Sequence, residues 1–367
     1  MAKSLAFWLE GSKSNDTSIE LHFNFWLLNM GSKNEINYLD VGVKFKSLEN
    51  ISSINIFFPF EIRKNSYIHN LGRILSKDGE LISAIFNARI YSLTYVDSNV
   101  LDIRFMDDNK VLRVFSQIEL SEQSGSKGVN ITYQDGGAIL SFPKTLITCE
   151  IEKPTAEGNE AKDKDNEVFG YFRFRINLNS EDRKSISQLY VSKDAKFLSR
   201  MESIEVVDFR VNEVRNLPQK IVSNLSTTCI NSVHFFLIRE TNSEHKLSHS
   251  EFKRCRILEK NLWDKYLNVP SSTSIPDQML IYHWKEQNEK KYLDNFSAFA
   301  KFSTITVTWG TVAYFLGFLL LWGAASGVLG NFIYSLPQRF AVKPIENKTL
   351  LMDNETKPES PQQSKPE

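Results

Sequence analysis

The 367-residue sequence has few cysteines and no excess of charge of either sign, and both absences exclude classes of protein. Three cysteines, Cys149, Cys229 and Cys255, are too few and odd in number for a disulfide framework, so we expect reduced thiols in a cytosolic region. Lys+Arg and Asp+Glu both number 44, so the formal net charge is zero and nothing in the balance indicates nucleic acid as a partner. A hydrophobic content of 41% excludes a mainly disordered chain.

Local catalytic motifs are absent as well. The sequence contains no P-loop, Rossmann-type glycine pattern, nucleophile elbow, HExxH or CxxC motif. Only 16 glycines are present, which leaves few places where the backbone could wrap closely around a nucleotide. We therefore predict no cofactor, and any active site would have to be assembled from residues far apart in the sequence.

One group of residues has part of the spacing of a metal site. His245 and His249 are four residues apart and Cys255 follows them. Two histidines at this spacing on a helix could bind zinc, with the thiolate as a third ligand. The sequence at 241–250 is polar, which favours a solvated loop, so we predict no metal and keep these three residues as the alternative.

Two arginines are the candidates for ligand binding. Arg173 and Arg175 occupy alternate positions of a predicted strand, so both side chains should lie on one face of the sheet. Paired guanidinium groups beside aromatic residues could bind a phosphate or stack on a base. A solvated face with partly buried side-chain stems is the alternative that we favour.

Period-two hydrophobic alternation dominates the first 270 residues. The clearest run comprises Ile19, Leu21, Phe23, Phe25 and Leu27. Such alternation is typical of a strand with one buried face, and many short strands in succession favour an antiparallel sandwich or barrel. The predicted fold class is therefore a mainly β cytosolic region with a few helices, followed by one C-terminal transmembrane helix.

Composition and pattern divide the chain into six segments. They are a β-rich domain at 1–151, a charged linker or loop at 152–167, a second β-rich unit at 168–270, a juxtamembrane helical segment at 271–301, a transmembrane helix at 302–338 and a disordered tail at 339–367. The segment 152–167 could join two domains or form a long hairpin loop within one. In 271–301 and just beyond, Leu293, Phe296, Phe299 and Phe302 are spaced by three, which predicts a helix that either lies in the headgroup region or packs on the β-domain.

The longest uncharged run lies near the C-terminus. Residues 302–338 contain no Asp, Glu, Lys or Arg, and about 20 apolar residues suffice to cross a bilayer as a helix. Lysine and arginine are balanced on its two sides, so the positive-inside rule gives no orientation. Because the N-terminus does not have the pattern of a secretory signal, we expect a single-pass protein with its N-terminal region in the cytoplasm.

Small residues form a stripe along this predicted helix. The stripe comprises Gly310, Ala313, Gly317, Gly323, Ala324, Gly327 and Asn331. Small residues allow close approach of two helices and an asparagine can hydrogen-bond across the contact, so the stripe predicts self-association. The alternative is that glycine and alanine are simply common in membrane helices.

A membrane anchor without a catalytic motif favours a binding function. Our first hypothesis is a membrane-anchored cytosolic binding or sensor module for an unknown protein or small-molecule ligand. A sharper form of this hypothesis is a ligand-triggered membrane effector. The second is a membrane-anchored, hydrolase-like enzyme with a non-local active site, and the third is a structural tether. A concave pocket with converging polar side chains would favour the enzyme, whereas a flat or apolar exposed patch would favour binding alone.

Overall fold

A computed structural model describes most of the chain. The described residues are 3–12, 14, 16–30, 32, 34–106, 110–121, 128–147, 167–191, 202–288, 292–305 and 309–340. They belong to two compact units, Met1–Thr306 and Val307–Glu367.

Strands make up most of the first unit. The strands in its described part are β1 (Ala6–Gly11), β2 (Ser18–Leu28), β3 (Ile36–Lys46), β4 (Ile51–Phe58), β5 (Tyr67–Ile68), β6 (Ile90–Tyr95), β7 (Val100–Phe105), β8 (Val111–Phe115), β9 (Asn130–Gln134), β10 (Gly137–Pro143), β11 (Val168–Asn177), β12 (Ser187–Val191), β13 (Glu202–Val211), β14 (Ile230–Glu240), β15 (Ser243–Ser248), β16 (Arg254–Leu258), β17 (Met279–Gln287) and β18 (Phe296–Ile305).

The helices of this unit are short. They are α1 (Leu71–Ser76), α2 (Gly79–Phe86), α3 (Lys144–Ile147), α4 (Ser180–Arg183), α5 (Gln219–Val222) and α6 (Lys260–Leu267), with 3-10 turns at Lys64–Ser66, Val214–Asn216 and Ser223–Thr227. The Asp78 side chain caps α2 by accepting from the amides of Glu80 and Leu81. Asn87 ends the helix in the left-handed region with φ 51°.

The strands form three sheets. A ten-stranded sheet has the order β16-β17-β14-β2-β3-β11-β8-β7-β6, with β5 paired to β11, and the two four-stranded sheets have the orders β1-β4-β10-β9 and β12-β13-β18-β15. In the large sheet the β14–β2 and β11–β8 pairs are parallel, and the other strand pairs are antiparallel. The predicted fold class is confirmed: the chain is mainly β in multiple sheets, with an apolar C-terminal helix.

Two cores lie on opposite faces of the ten-stranded sheet. On one face, residues such as Leu21 and Phe23 pack with residues of both four-stranded sheets. On the other face, Trp26 and Leu28 pack with residues of α1, α2 and α6. Alternation along β2 therefore sends odd-numbered side chains into the first core and even-numbered ones to the second face.

Strands from both sides of the charged segment at 152–167 share the large sheet. β11 pairs with β3 and β8, both of which precede that segment. The segment itself lies outside the described residues except for Glu167.

The helix predicted at 271–301 is wrong, because this region contains β17 and most of β18. Phe296, Ala298, Ala300 and Phe302 are buried along β18, so the true period is two. The alanines are small enough to pack against the neighbouring strands, but their weak hydrophobicity hid the alternation. The polar stretch at 241–250, predicted to be a loop, contains β15, which pairs with β18.

The second unit contains one long helix, α7 (Trp309–Phe340). It begins later than the predicted residue 302, because residues 302–305 belong to β18. Its segment Val312–Ser335 is 24 residues long with a mean hydropathy of 1.9, which by length and composition is enough to cross a membrane. The predicted disordered tail lies, beyond Phe340, outside the described residues.

Candidate functional site: a basic cleft over a histidine cluster

A cleft of about 820 Å³ opens on the face of the ten-stranded sheet that carries the second core. Its floor is formed by side chains of β2, β3, β14 and β17, and residues 84–88, at the end of α2, line one side. Small-molecule sites in proteins are typically concave cavities of roughly 300–1,000 Å³. The cleft therefore has the size of a site for one small ligand.

Positive charge is concentrated around this cleft. The lining cations are Lys44, Lys110, Lys253, Arg254, Arg256 and Lys285, and in the described part of the chain Glu20 is the single carboxylate among the lining residues. A concave surface lined by charge of one sign concentrates the field and attracts ligands of the opposite sign. The neutral charge balance of the whole chain conceals this local excess.

Three histidines and this carboxylate lie at the floor of the cleft. This group is here called the histidine cluster and comprises Glu20, His22, His234 and His283. The parallel pairing of β14 with β2 places His234 directly opposite His22, and β17 brings His283 to the other side of His234. His22 Nε2 lies 2.6 Å from Glu20 Oε1, and His234 Nδ1 lies 3.2 Å from His283 Nε2. His234 Nε2 lies 3.7 Å from Glu20 Oε1, and within the described residues this buried nitrogen has no hydrogen-bond partner.

The environment shifts the pKa values of Glu20, His234 and His283. Burial lowers the pKa of His234 to about 2 and that of His283 to about 4, and nearby cationic groups add to both effects. Burial raises the pKa of Glu20, but the hydrogen bond and charge of His22, with Lys44 and His234, outweigh it and lower the pKa well below the ordinary value. At neutral pH the floor therefore holds a carboxylate beside the neutral imidazoles of His234 and His283.

Aromatic rings form the apolar part of the cleft. The Phe236 ring stacks on His283 with centroids 4.2 Å apart, and Lys44 Nζ lies 5.0 Å from the centre of the Phe169 ring. Phe86 and Phe105 also line the cavity. Aromatic faces beside cations can hold a planar group of an anionic ligand by stacking.

The two arginines predicted to bind a ligand belong to a different group, here called the arginine cluster (Asp40, Arg173, Arg175 and Tyr266). The Arg175 guanidinium donates to Asp40 Oδ1 at 2.5 Å and to Oδ2 at 3.0 Å. Tyr266 Oη donates to Asp40 Oδ2 at 2.7 Å and accepts from Arg173 Nε at 2.7 Å. Trp26 Nε1 also donates to Asp40 Oδ2, at 2.9 Å.

Both arginines are buried on one face of β11, as their spacing indicated. Arg173 is 1% exposed and Arg175 is 3% exposed, so the solvated face that we favoured is wrong. The reason is that Asp40 and tyrosine hydroxyl groups offer these guanidinium groups partners inside the protein. Their role in binding a ligand stays a prediction.

The alternative metal residues of the sequence analysis lie on different elements. His245 in β15 packs its ring against Phe252, Tyr282 and Phe302, and Cys255 in β16 is an exposed free thiol. His249 follows β15 and bonds through its amide to the Phe299 carbonyl. Among the described residues, the group whose potential ligand atoms converge is Glu20, His22 and His234.

The small-residue stripe lies on α7. Its members Gly310, Ala313, Gly323, Ala324, Gly327 and Asn331 are exposed and Gly317 is half-buried. A Cβ atom added at Gly317, Gly323 or Gly327 would meet nothing within 4 Å. Self-association through this face stays a prediction.

The comparisons with known proteins supply no family. No protein-family profile matches the chain, and no curated protein matches it. Among solved structures, the Fcho1 Mu homology domain from Danio rerio with bound Eps15 peptide matches with 10% identity over 84% of this chain and 81% of that chain, with a TM-score of 0.14. A TM-score this low supports no argument about fold or function.

Sequence reasoning missed the histidine cluster because its members lie on β2, β14 and β17. The strand β14 pairs in parallel with β2, and no local pattern indicates such a pairing between distant segments. One signal was present: each of these histidines interrupts a predominantly apolar strand at a position that shares a face with other polar residues.

Proposed function

We propose that this chain is a membrane-anchored binding module whose cleft recognises a phosphate-bearing small molecule. The observation that supports the proposal is the set of six cations around a cleft in which Glu20 is the one carboxylate among the described lining residues. Arginine and lysine are the usual phosphate-binding side chains, and hydrogen bonds to charged groups contribute about 1.5–3 kcal/mol each. An anionic ligand would therefore relieve the mutual repulsion of these cations and gain direct contacts.

The aromatic lining favours a ligand that also carries a planar group. Phe169 and Phe236 present rings beside Lys44 and His283. A nucleotide combines a phosphate with a stacking base, so it has the chemistry that both parts of the cleft would recognise.

The helix α7 supplies the anchor in this proposal. Val312–Ser335 is long and apolar enough to cross a bilayer. We place the β-rich unit in the cytoplasm, which agrees with the free exposed thiol of Cys255, because reducing compartments preserve thiols. In this arrangement the cleft would respond to a cytoplasmic ligand at a membrane surface.

The test is calorimetric titration of the full chain in detergent micelles with ATP and with pyrophosphate. We expect both probes to bind, ATP more tightly because its base can stack. A repeat in micelles doped with phosphatidylglycerol or phosphatidylcholine distinguishes the source of the phosphate. Competition by phosphatidylglycerol alone would indicate a lipid headgroup, and absence of binding by all phosphate probes would contradict the proposal.

Self-association through the stripe on α7 is a separate part of the proposal. Leucine at Gly317 and Gly327 would fill the open space beside the helix and prevent close approach of a second copy. We expect the double substitution to reduce cross-linking between full chains in membranes, and substitution at the exposed Leu320 and Leu329 with Ala to have little effect. Unchanged cross-linking of the glycine variant would contradict helix association.

An enzyme that acts on the bound ligand is the second candidate. Glu20, His22 and His234 converge at the floor of a concave cleft in which the pKa values of Glu20 and His234 are lowered, the arrangement that a non-local active site requires. Release of phosphate from ATP by the full chain, lost in His234→Gln, would favour catalysis over binding alone. Stable binding of ATP without turnover would favour the binding module.

A further inference from the structure

We propose that Glu20, His22 and His234 bind a zinc ion at the floor of the cleft. This inference does not depend on the anionic ligand, because the three side chains form the site by themselves. Each of these residues offers one ligand atom, and these three atoms all lie within 4.8 Å of one another. The natural ligand set is Glu20 Oε1, His22 Nε2 and His234 Nε2, because both nitrogens face this oxygen.

The distances agree with a ligand set that needs one small adjustment. Ligands about 2.0–2.2 Å from a tetrahedral zinc ion are separated from each other by roughly 3.3 Å. His234 Nε2 lies 3.7 Å from Glu20 Oε1, close to this value. His22 Nε2 lies only 2.6 Å from the same oxygen, and the half-buried Glu20 side chain, 29% exposed, can rotate to widen that separation.

The His234 ring gives an independent indication of a ligand. Its Nε2 atom is buried without a hydrogen-bond partner in the described part of the chain, which leaves the desolvation cost of this atom uncompensated. The atom faces the carboxylate and the His22 ring, the direction in which an ion would lie. A metal ion would satisfy this lone pair, to which no hydrogen-bond donor of the described residues is bonded.

The other nitrogen of His234 already has the contact that a metal-binding histidine needs. Metal-bound histidines typically donate their second ring N–H to a neighbouring acceptor, which fixes the tautomer and the ring orientation. His234 Nδ1 lies 3.2 Å from His283 Nε2, so His234 can donate to it and leave Nε2 free for the ion. His283 is therefore a positioning residue rather than a ligand.

The composition of the site favours zinc over magnesium or calcium. Two imidazole nitrogens and one carboxylate oxygen form a ligand set that suits zinc, whereas magnesium and calcium prefer oxygen ligands throughout. Three protein ligands also leave a fourth coordination position, as in catalytic zinc sites. That position would open towards the cations of the cleft, where water or a phosphate oxygen could occupy it.

The test is titration of the chelator-stripped full chain in detergent with Zn²⁺ alone, with metal content measured after dialysis. We expect one equivalent of zinc per chain, and loss of stoichiometric binding in His22→Ala, His234→Gln and Glu20→Gln. Circular dichroism of each variant separates loss of the site from loss of the fold. The matched control is the triple variant His245→Ala/His249→Ala/Cys255→Ser, which should bind zinc as the unmodified chain does.

Cobalt substitution provides a second readout. Co²⁺ in a tetrahedral site of nitrogen and oxygen ligands has intense visible absorption, which we expect in the unmodified chain and not in folded His234→Gln. Failure of the stripped chain to bind zinc would overturn the inference, as would equal binding by the folded cluster variants. Loss of binding only in the triple control would assign the metal to His245, His249 and Cys255 instead. Binding of ATP or pyrophosphate in the presence of chelator would remain as a separate test of the anion cleft.

Discussion

Two polar clusters lie on the same face of the ten-stranded sheet, and their surroundings differ. The arginine cluster is buried, and Asp40 accepts hydrogen bonds from Arg175, Trp26 and Tyr266. The histidine cluster lies at the floor of an open cleft, and the Nε2 atom of His234 has no hydrogen bond within the described residues.

This difference distinguishes a structural polar group from a candidate site. In the arginine cluster the charges neutralise one another, and the one guanidinium nitrogen without a hydrogen bond in the described residues, Arg173 Nη2, lies 3.9 Å from Asp40 Oδ2. Most polar atoms of this cluster therefore have partners within the protein, as is typical of a buried structural network. In the cleft, an excess of cations and a nitrogen without a hydrogen bond among the described residues face a space of ligand size, which favours a bound ligand there.

The largest expected effect is on stability, from Asp40→Ala. This substitution leaves two guanidinium groups buried without their carboxylate, and breaking a buried pair in this way costs about 3–5 kcal/mol. Unfolding of the full chain in detergent, followed by the fluorescence of its tryptophans, measures the change. Asp208→Ala is the control, because Asp208 pairs with Arg210 in a more exposed position, and exposed pairs contribute about 0–1 kcal/mol. Equal losses in the two variants would contradict the structural role of the arginine cluster.

The next effect is on anion affinity, from reversal of three exposed cations of the cleft. We expect Lys253→Glu/Arg254→Glu/Arg256→Glu to weaken ATP binding by roughly 100-fold or more, since each lost charge-assisted hydrogen bond costs about 1.5–3 kcal/mol. Calorimetry of the full chain measures the affinity. A control with the same change of net charge reverses Lys184, Lys220 and Lys246, which do not line the cleft. Weakening of the same size in both variants would mean that overall charge, and not the cleft, determines binding.

A somewhat smaller effect on metal affinity is expected from His283→Ala. Removal of the acceptor that orients His234 should weaken zinc binding by about 10–100-fold without abolishing it, as for other outer partners of metal ligands. Competition titration with a chelating dye measures this change. His69→Ala, at an exposed histidine outside the cleft, serves as the control. Unchanged zinc affinity in His283→Ala would contradict the positioning role proposed for His283.

The smallest effect is the acid sensitivity of the arginine cluster. Burial raises the pKa of Asp40, but the charge and hydrogen bonds of Arg175, with Arg173 and Tyr266, outweigh it and lower the pKa below its ordinary value of 3.8. A lowered pKa means that the ionised carboxylate stabilises the fold above pH 3.8 and that this contribution is lost as the pH falls through the folded-state pKa. The difference in unfolding free energy between the unmodified chain and Asp40→Asn should therefore shrink as the pH falls below 3.8. A difference that stays constant across this range would indicate that Asp40 is not ionised in the folded protein.

The fold was predictable where burial imposes a simple period. In β2, large apolar side chains such as Leu21 and Phe23 alternate with polar ones, and this alternation predicted the strand. In β18 the buried positions include Ala298 and Ala300, while Phe299 is half-buried, so the large residues suggested a helix period that the backbone does not have. Alternation therefore identifies strands only when the buried side chains are also the most hydrophobic.

The candidate site was much less predictable than the fold. The shared face of Arg173 and Arg175 followed from their spacing, but their burial depends on Asp40 and Tyr266, which come from distant parts of the chain. The histidine cluster depends on the pairing of β14 with β2 and β17, which is a property of the whole sheet. Pairings between distant strands are fixed by tertiary packing, so single-sequence patterns do not reveal them.

Hydrogen–deuterium exchange of the full chain, with and without saturating ATP, tests the central claim most directly, because it locates the ligand. Our account predicts slower exchange in peptides that contain residues 84–88, 253–256 and 281–285, which line the cleft, and no comparable change around Asp40 and Arg175. Protection centred on the arginine cluster, or no protection at the cleft under conditions where ATP binds, would contradict the assignment of the cleft as the ligand site.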